Sequence, residues 1–99
     1  MEITFEAIIT FLRQQMKEAP LAATQKKISL PRIQRYCKML AAGSKAPPIK
    51  AANDMIIEGH HRYISGLICG QLPGSTPWLA PHNLEKIPWA DVTPDEADW

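Results

Sequence analysis

No stretch of this chain supplies the run of about eighteen apolar residues that a membrane span needs. Basic residues are missing from the N-terminus, where Glu2 and Glu6 stand instead, so no export signal is expected. Cysteine is scarce. The two present, Cys37 and Cys69, lie in no metal or redox spacing. The simplest compartment is a reducing cytoplasm with both thiols free, although spacing alone does not decide against a bridge between them. Net charge is also nearly absent, at +1, which excludes a globally basic coat for nucleic acid but says nothing of local patches. Repeats and low-complexity tracts are absent.

What is present suits one folded domain over residues 1–99. A chain of 99 residues, 45% hydrophobic and 21% charged, has ordinary globular composition. At this length about two-thirds of the unfolded surface is buried, enough for one modest core without staples.

Phe5, Ile9, Leu12 and Met16 recur at helical spacing and predict an amphipathic helix over 4–18, ended by Pro20. Leu21 to Ile28 reads as a polar link. Ser29 is the expected N-cap of a second helix, with Pro31 tolerated in its first turn and Gly43 as its stop. That helix should bury Leu30, Ile33, Cys37 and Leu40. Pro48–Ala51 and Met55–Ile57, separated by Asn53-Asp54, predict a hairpin or tight two-strand unit. Gly59 breaks the second strand. A third helix is expected over His60–Cys69, with Ile64, Leu67 and Ile68 inward and Gly70 as its stop.

Five of the nine prolines fall at 73, 77, 81, 88 and 94, which forbids a long helix or a central strand in the last third. A short edge strand is expected around Ile87-Pro88-Trp89, and the acidic stretch Asp91–Trp99 is expected to fray. Trp78 and Trp89 are read as covering the core. The fold class is a small α+β domain, with a core at 21–72 and a proline-rich acidic segment at 73–99.

One constellation carries chemistry: Glu58-Gly59-His60-His61-Arg62-Tyr63. A strand running through a glycine straight into a helix leaves several backbone N–H groups without partners, at the positive end of a helix dipole. Glycine permits close approach of a ligand to the backbone. Two imidazoles and a guanidinium on the same turn add donors, with bidentate geometry from the arginine. Cationic and titratable residues at a helix N-terminus oppose the dipole, so an anion that offsets them is the natural ligand.

Pro47-Pro48-Ile49, a turn, then Met55 through Tyr63 and an apolar helix ending at Gly70 resembles the core of the ParB/sulfiredoxin-like superfamily. Thr24-Gln25, Ile28 and Arg32-Ile33 resemble the segment that precedes that core. The resemblance covers roughly residues 21–72 and implies a small α+β domain that binds nucleotide phosphates, with ATP or CTP as the nucleotide. The sulfiredoxin corner is Gly-Cys-His-Arg and that of partition proteins Gly-Glu-Arg-Arg. By this resemblance Gly59, His61 and Arg62 hold phosphate, Arg32 is a second cation and Gln25 a polar contact. His60 stands where the sulfiredoxin nucleophile would be, which argues against sulfinic acid reduction. The room after Gly70 does not suit a DNA-reading domain.

Two functions follow. The first is phosphoryl chemistry, either NTP hydrolysis or nuclease-type cleavage. His60 or His61 would then be acid or base, with the imidazole kept neutral by the helix N-terminus, and Glu58 would orient water or hold magnesium through a water shell. The second is a non-catalytic module that senses a nucleotide or contacts DNA or RNA. Residues 26–62 carry eight Lys or Arg against Asp54 and Glu58, a local +6, while 63–99 carry −4. Zinc is disfavoured, because sequential histidines diverge by about 100° on a helix.

Overall fold

The computed structural model describes residues 3–99. Three helices, α1 (Phe5–Gln14), α2 (Leu30–Ala41) and α3 (His60–Cys69), alternate with five short strands. The strands are β1 (Lys27–Ser29), β2 (Ile49–Ala52), β3 (Met55–Glu58), β4 (Ser75–Pro77) and β5 (Thr93–Asp95). One sheet has the order β3-β2-β4, antiparallel on one side and parallel on the other. The second is a parallel pair of β1 and β5. This is the small α+β domain expected. No helix among the described residues is long and apolar enough to cross a membrane.

Local signals placed the helices well. The Thr4 hydroxyl caps α1 by accepting from Ala7 N at 3.1 Å, and Ser29 caps α2 through Arg32 N at 3.3 Å. Leu30, Ile33, Cys37 and Leu40 form the buried face of α2. In α1 the buried row is Ile8 and Leu12, continued by Met16 in the turn that follows, whereas Phe5 is exposed and Ile9 half-buried. The apolar residues of this helix span more than one face, and the row at uniform spacing of four turns innermost. The α-helix also stops at Gln14 and tightens into a 3-10 turn over Gln15–Glu18.

Asn53 and Asp54 both take left-handed conformations, φ 50° and 61°, the geometry of a two-residue hairpin turn between β2 and β3. β3 then runs through Gly59 into α3. Gly59 has φ 108°, and a Cβ there would lie 2.5 Å from Ile49 Cγ2, so both conformation and space demand glycine. Gly70, φ 69°, ends α3.

Three expectations are corrected. Leu21 to Ile28 is not a loose link but threads the core: Ala23 and Ile28 are fully buried. Its backbone groups pair accordingly, as a buried chain requires. Ala22 N donates to Asp54 O, Ile56 N to Ala22 O and Ile87 N to Ala23 O. The strand expected around Ile87–Trp89 shrinks to one bridge, Ala23 with Ile87, because Pro88 lacks the N–H to continue a ladder. Trp89–Asp91 is a 3-10 turn, and the strand lies further on at Thr93–Asp95. The acidic stretch does not fray: β5 pairs with β1 and residues 97–99 lie against α2.

One cluster of buried side chains, from Ile3 to Val92, joins all three helices, and α2 against α3 is its central contact. Trp89 belongs to it. Its indole stacks on Tyr63 at 6.1 Å between ring centres, and its N–H donates to Leu21 O at 2.9 Å. Trp78 does not. It is half-exposed, with the Lys50 ammonium 4.2 Å above its ring.

Candidate functional site

α1 and α2 are capped by hydroxyls, but among the described residues no side chain caps α3, whose N-cap is Gly59. That open end faces a cavity of about 180 Å³. All seven residues singled out from the sequence line it, joined by Tyr36, Ile57 and Trp99. Strand β3 supplies Glu58, the α3 start supplies His60, His61 and Arg62, α2 supplies Arg32, and the segment before β1 supplies Gln25.

The two histidines are placed differently from the sequence expectation. Both are buried, at 3% and 6% exposure. Each ring serves as an acceptor. Thr24 N donates to His60 Nε2 at 2.9 Å, and Ser29 N donates to His61 Nε2 at 2.8 Å. An imidazole that accepts at Nε2 carries its proton on Nδ1. Burial lowers the pKa of His60 from 6.5 to about 4. Burial also takes His61 to about 4, helped by the positive charges of Arg32 and Arg35. Neutral imidazoles were expected from the helix dipole; burial is the dominant cause. The pair clamps α3 to the segment before β1 and to the first turn of α2. Neither Nδ1 has a partner among the described residues, and no buried side-chain nitrogen or oxygen goes unsatisfied, so both Nδ1 atoms reach accessible space.

Arg62 is largely tied down. Its side chain is 14% exposed, Nη1 donates to Pro48 O at 2.9 Å and to Pro47 O at 3.4 Å, and Nη2 meets Glu58 Oε1 at 3.5 Å. The guanidinium thus staples the chain entering β2 to the start of α3, leaving Nε and part of Nη2 for other acceptors. Glu58 is shared with Lys50, at 3.2 Å. Gln25 Nε2 donates to Lys27 O at 2.7 Å. Arg32 Nη1 donates to Trp99 O at 3.3 Å.

Three contributors escaped the sequence reading. Ser29 was seen only as a cap, yet its amide fixes His61 and its hydroxyl also donates to Ala97 O at 2.9 Å. Tyr36 sits on α2 one turn past Arg32. Trp99 packs its ring edge-on against His61, 5.3 Å between centres. An aromatic ending an otherwise acidic run was the available signal for it.

Magnesium does not fit this donor set as a protein-held ion. Glu58 is the one carboxylate lining the cavity and already meets two cations. No group of three or more His, Cys, Asp or Glu side chains converges among the described residues. The Nε2 atoms of His60 and His61 are each taken by an amide, so they offer no zinc pair. Cys37 and Cys69 are both free. Burial, with the neighbouring Cys69 second, pushes the Cys37 thiol up to about 12, which removes it as a nucleophile.

A larger groove of about 550 Å³ lies between the end of α1 and Ile87–Ala90, lined by Met16, Leu21 and Trp89 with Lys17 and Lys86. It shares no residue with the corner cavity. Comparison with protein-family profiles, with curated proteins and with solved structures finds no match in any of the three.

Proposed function

We propose that this chain is a nucleotide-phosphate-binding module of the ParB/sulfiredoxin-like kind, with the anion held at the start of α3. The observation that carries the reading is the uncapped α3 N-terminus opening, through Gly59, into a cavity that gathers Arg32, Arg62 and two neutral histidines. First-turn amides and two guanidiniums are donors, and the one carboxylate there, Glu58, is already engaged by Lys50 and Arg62. The strand–Gly–helix corner has the same order as in that superfamily.

Binding is supported above catalysis. With Nε2 accepting from an amide and Nδ1 protonated, neither imidazole has a free lone pair to act as a base. A pKa near 4 leaves neither as an acid at neutral pH. Glu58 lies between Lys50 and Arg62, a poor position from which to activate water. NTP hydrolysis or nuclease-type cleavage therefore ranks second. DNA or RNA contact through the 26–62 segment is the remaining alternative.

A melting panel with pyrophosphate, ATP and CTP tests the reading. A ligand at a hundred times its Kd stabilises by about 3 kcal/mol, which is about 10 °C or more for a domain of this size. Arg62→Ala and Arg32→Ala are expected to lose the shift. Absence of a shift for all three ligands at millimolar concentration refutes the proposal, and turnover of ATP or CTP with added magnesium would move the function to phosphoryl chemistry.

A further inference from the structure

Residues 95–99 make contacts that their acidic composition did not foretell. The stretch leaves β5 through a turn closed by Ala97 N donating to Asp95 Oδ1 at 2.9 Å. It then crosses the first turns of α2 and the mouth of the corner cavity. Ser29 Oγ donates to Ala97 O, Arg35 pairs with Asp98, Arg32 donates to Trp99 O, and the Trp99 ring meets His61 edge-on. Two arginines of α2 are therefore met by a carboxylate and a carbonyl oxygen. The phosphate reading puts an anionic oxygen at the first of these arginines, Arg32, while Arg35 lines the adjoining space.

The cavities argue in the same direction. At about 180 Å³ the corner cavity falls below the range of about 300–1,000 Å³ usual for small-molecule sites. A second cavity of about 390 Å³ adjoins it, lined by Arg32, Arg35, Tyr36, Met39 and Trp99. Arg32, Tyr36 and Trp99 line both, so Trp99 forms part of the boundary between them. With Trp99 moved aside the combined space falls in the range of a nucleoside phosphate, whose base would lie beside Tyr36 and Met39.

We propose that residues 97–99 form a displaceable acidic strap that walls off the anion site and occupies Arg32 and Arg35 beside it when no ligand is bound, and that a nucleoside phosphate binds by displacing it. This rests on the phosphate reading of the corner. The strap is held weakly enough to leave. Both partners of the Arg35–Asp98 pair are more than half exposed, and pairs of that kind contribute little. Trp99 is itself 48% exposed. β5 stays paired with β1, so the movement is confined to the stretch beyond the Asp95 turn. A ligand that must first expel the strap shows an affinity reduced by the fraction of molecules in which the site is open.

The test is calorimetry with pyrophosphate, ATP, CTP and a short single-stranded oligonucleotide on the wild-type chain and on the Asp98→Asn/Trp99→Ala double variant, with ligand-free melting measured in parallel. The expected result is ATP or CTP affinity tightened about tenfold, a smaller change for pyrophosphate, and a lower ligand-free Tm. Stability and affinity moving in opposite directions is a signature that a merely structural segment does not give. Asp98→Asn alone, which keeps the Trp99 packing, should tighten binding in the same direction by less. Unchanged or weaker nucleotide affinity in variants of a wild type that binds overturns the strap and leaves the phosphate reading standing. Tightening confined to the oligonucleotide overturns the assignment to a nucleoside phosphate. Failure of every ligand on every protein overturns the phosphate reading and the strap with it.

Discussion

Lowering the pH from 7.5 to 5 should destabilise this fold steeply, and the loss should trace to two rings. His60 faces Thr24 and Trp89; His61 faces Ser29, Trp99 and the charges of Arg32 and Arg35. Folded, both are neutral acceptors with pKa values of about 4, against 6.5 for the ordinary group. Unfolded rings take up protons below about pH 6.5, whereas the folded rings wait until about pH 4. The unfolded state therefore binds more protons throughout that window, and stability falls as pH falls. The contribution is complete above pH 6.5 and is lost as pH drops toward 4. At pH 5 each ring has cost about 2 kcal/mol, and the pair about 4 kcal/mol.

Domains of this size hold only about 5–15 kcal/mol in total, so the loss is large. Side-chain carboxylates with ordinary values titrate mostly below pH 5, which leaves the upper part of the window to histidine. The measurement is urea unfolding followed by tryptophan fluorescence at pH 7.5, 6 and 5. His60→Gln and His61→Gln serve as controls, since glutamine offers an amide oxygen as acceptor near the Nε2 position but takes up no proton. Wild type should lose about 4 kcal/mol, and each variant about 2 kcal/mol. A wild type that is flat between pH 7.5 and 5, or variants that lose as much as wild type, would refute the neutral-acceptor assignment. The imidazoles would then be available for acid–base work after all.

Gly59→Ala should cost at least about 1–3 kcal/mol, because φ 108° is strained for alanine and its methyl meets Ile49; Gly70→Ala, with nothing within 4 Å, should cost less. Urea midpoints of the two variants check this order, and equal costs would refute it. Trp89→Ala should lose about 3–5 kcal/mol by opening the space against Tyr63 and orphaning Leu21 O, while Trp78→Ala should lose under about 1 kcal/mol. The same denaturation series reads both. Cys37 should resist alkylation at pH 8 until the protein unfolds, because a thiol pushed up to about 12 is buried and almost wholly protonated; mass spectrometry of the labelled chain gives the answer.

What was legible in the sequence is what one or two adjacent residues decide. Ser29 as a cap, Asn53-Asp54 as a turn, Gly59 as a break and Gly70 as a stop each impose a local conformation whatever the rest of the chain does. The grouping of Glu58, Gly59, His60, His61 and Arg62 at one cavity was legible for the same reason, since they are consecutive at the strand-to-helix corner, whereas Arg32 and Gln25 were expected beside them only from the family resemblance. The strand pairs were not. β1 finds its partner in β5 on the far side of the chain, and no local pattern in Thr93-Pro94-Asp95 announces a strand. Nor was the burial of His60 and His61 legible. Whether an imidazole faces solvent or accepts an amide depends on Thr24 N and Ser29 N, more than thirty residues away, and a polar His-His-Arg run gives no sign of such partners.

The near-zero net charge is now a structural matter rather than an average. Part of the basic middle is neutralised internally, Arg35 by Asp98 and Lys50 and Arg62 around Glu58, while Arg32 is hydrogen-bonded to Trp99 O. Lys26, Lys27, Lys38 and Lys45 are exposed and have no ion pair among the described residues. Two kinds of anion binding follow, with different physics. Exposed lysines attract any polyanion by releasing counterions, so that attraction fades quickly with salt. An anion at the corner takes over Arg32 from Trp99 O, so part of its interaction is an exchange rather than a gain. Its affinity should depend less on salt and more on donor geometry at Gly59, Arg32 and Arg62, which is the behaviour of a site that distinguishes a nucleotide from charge alone.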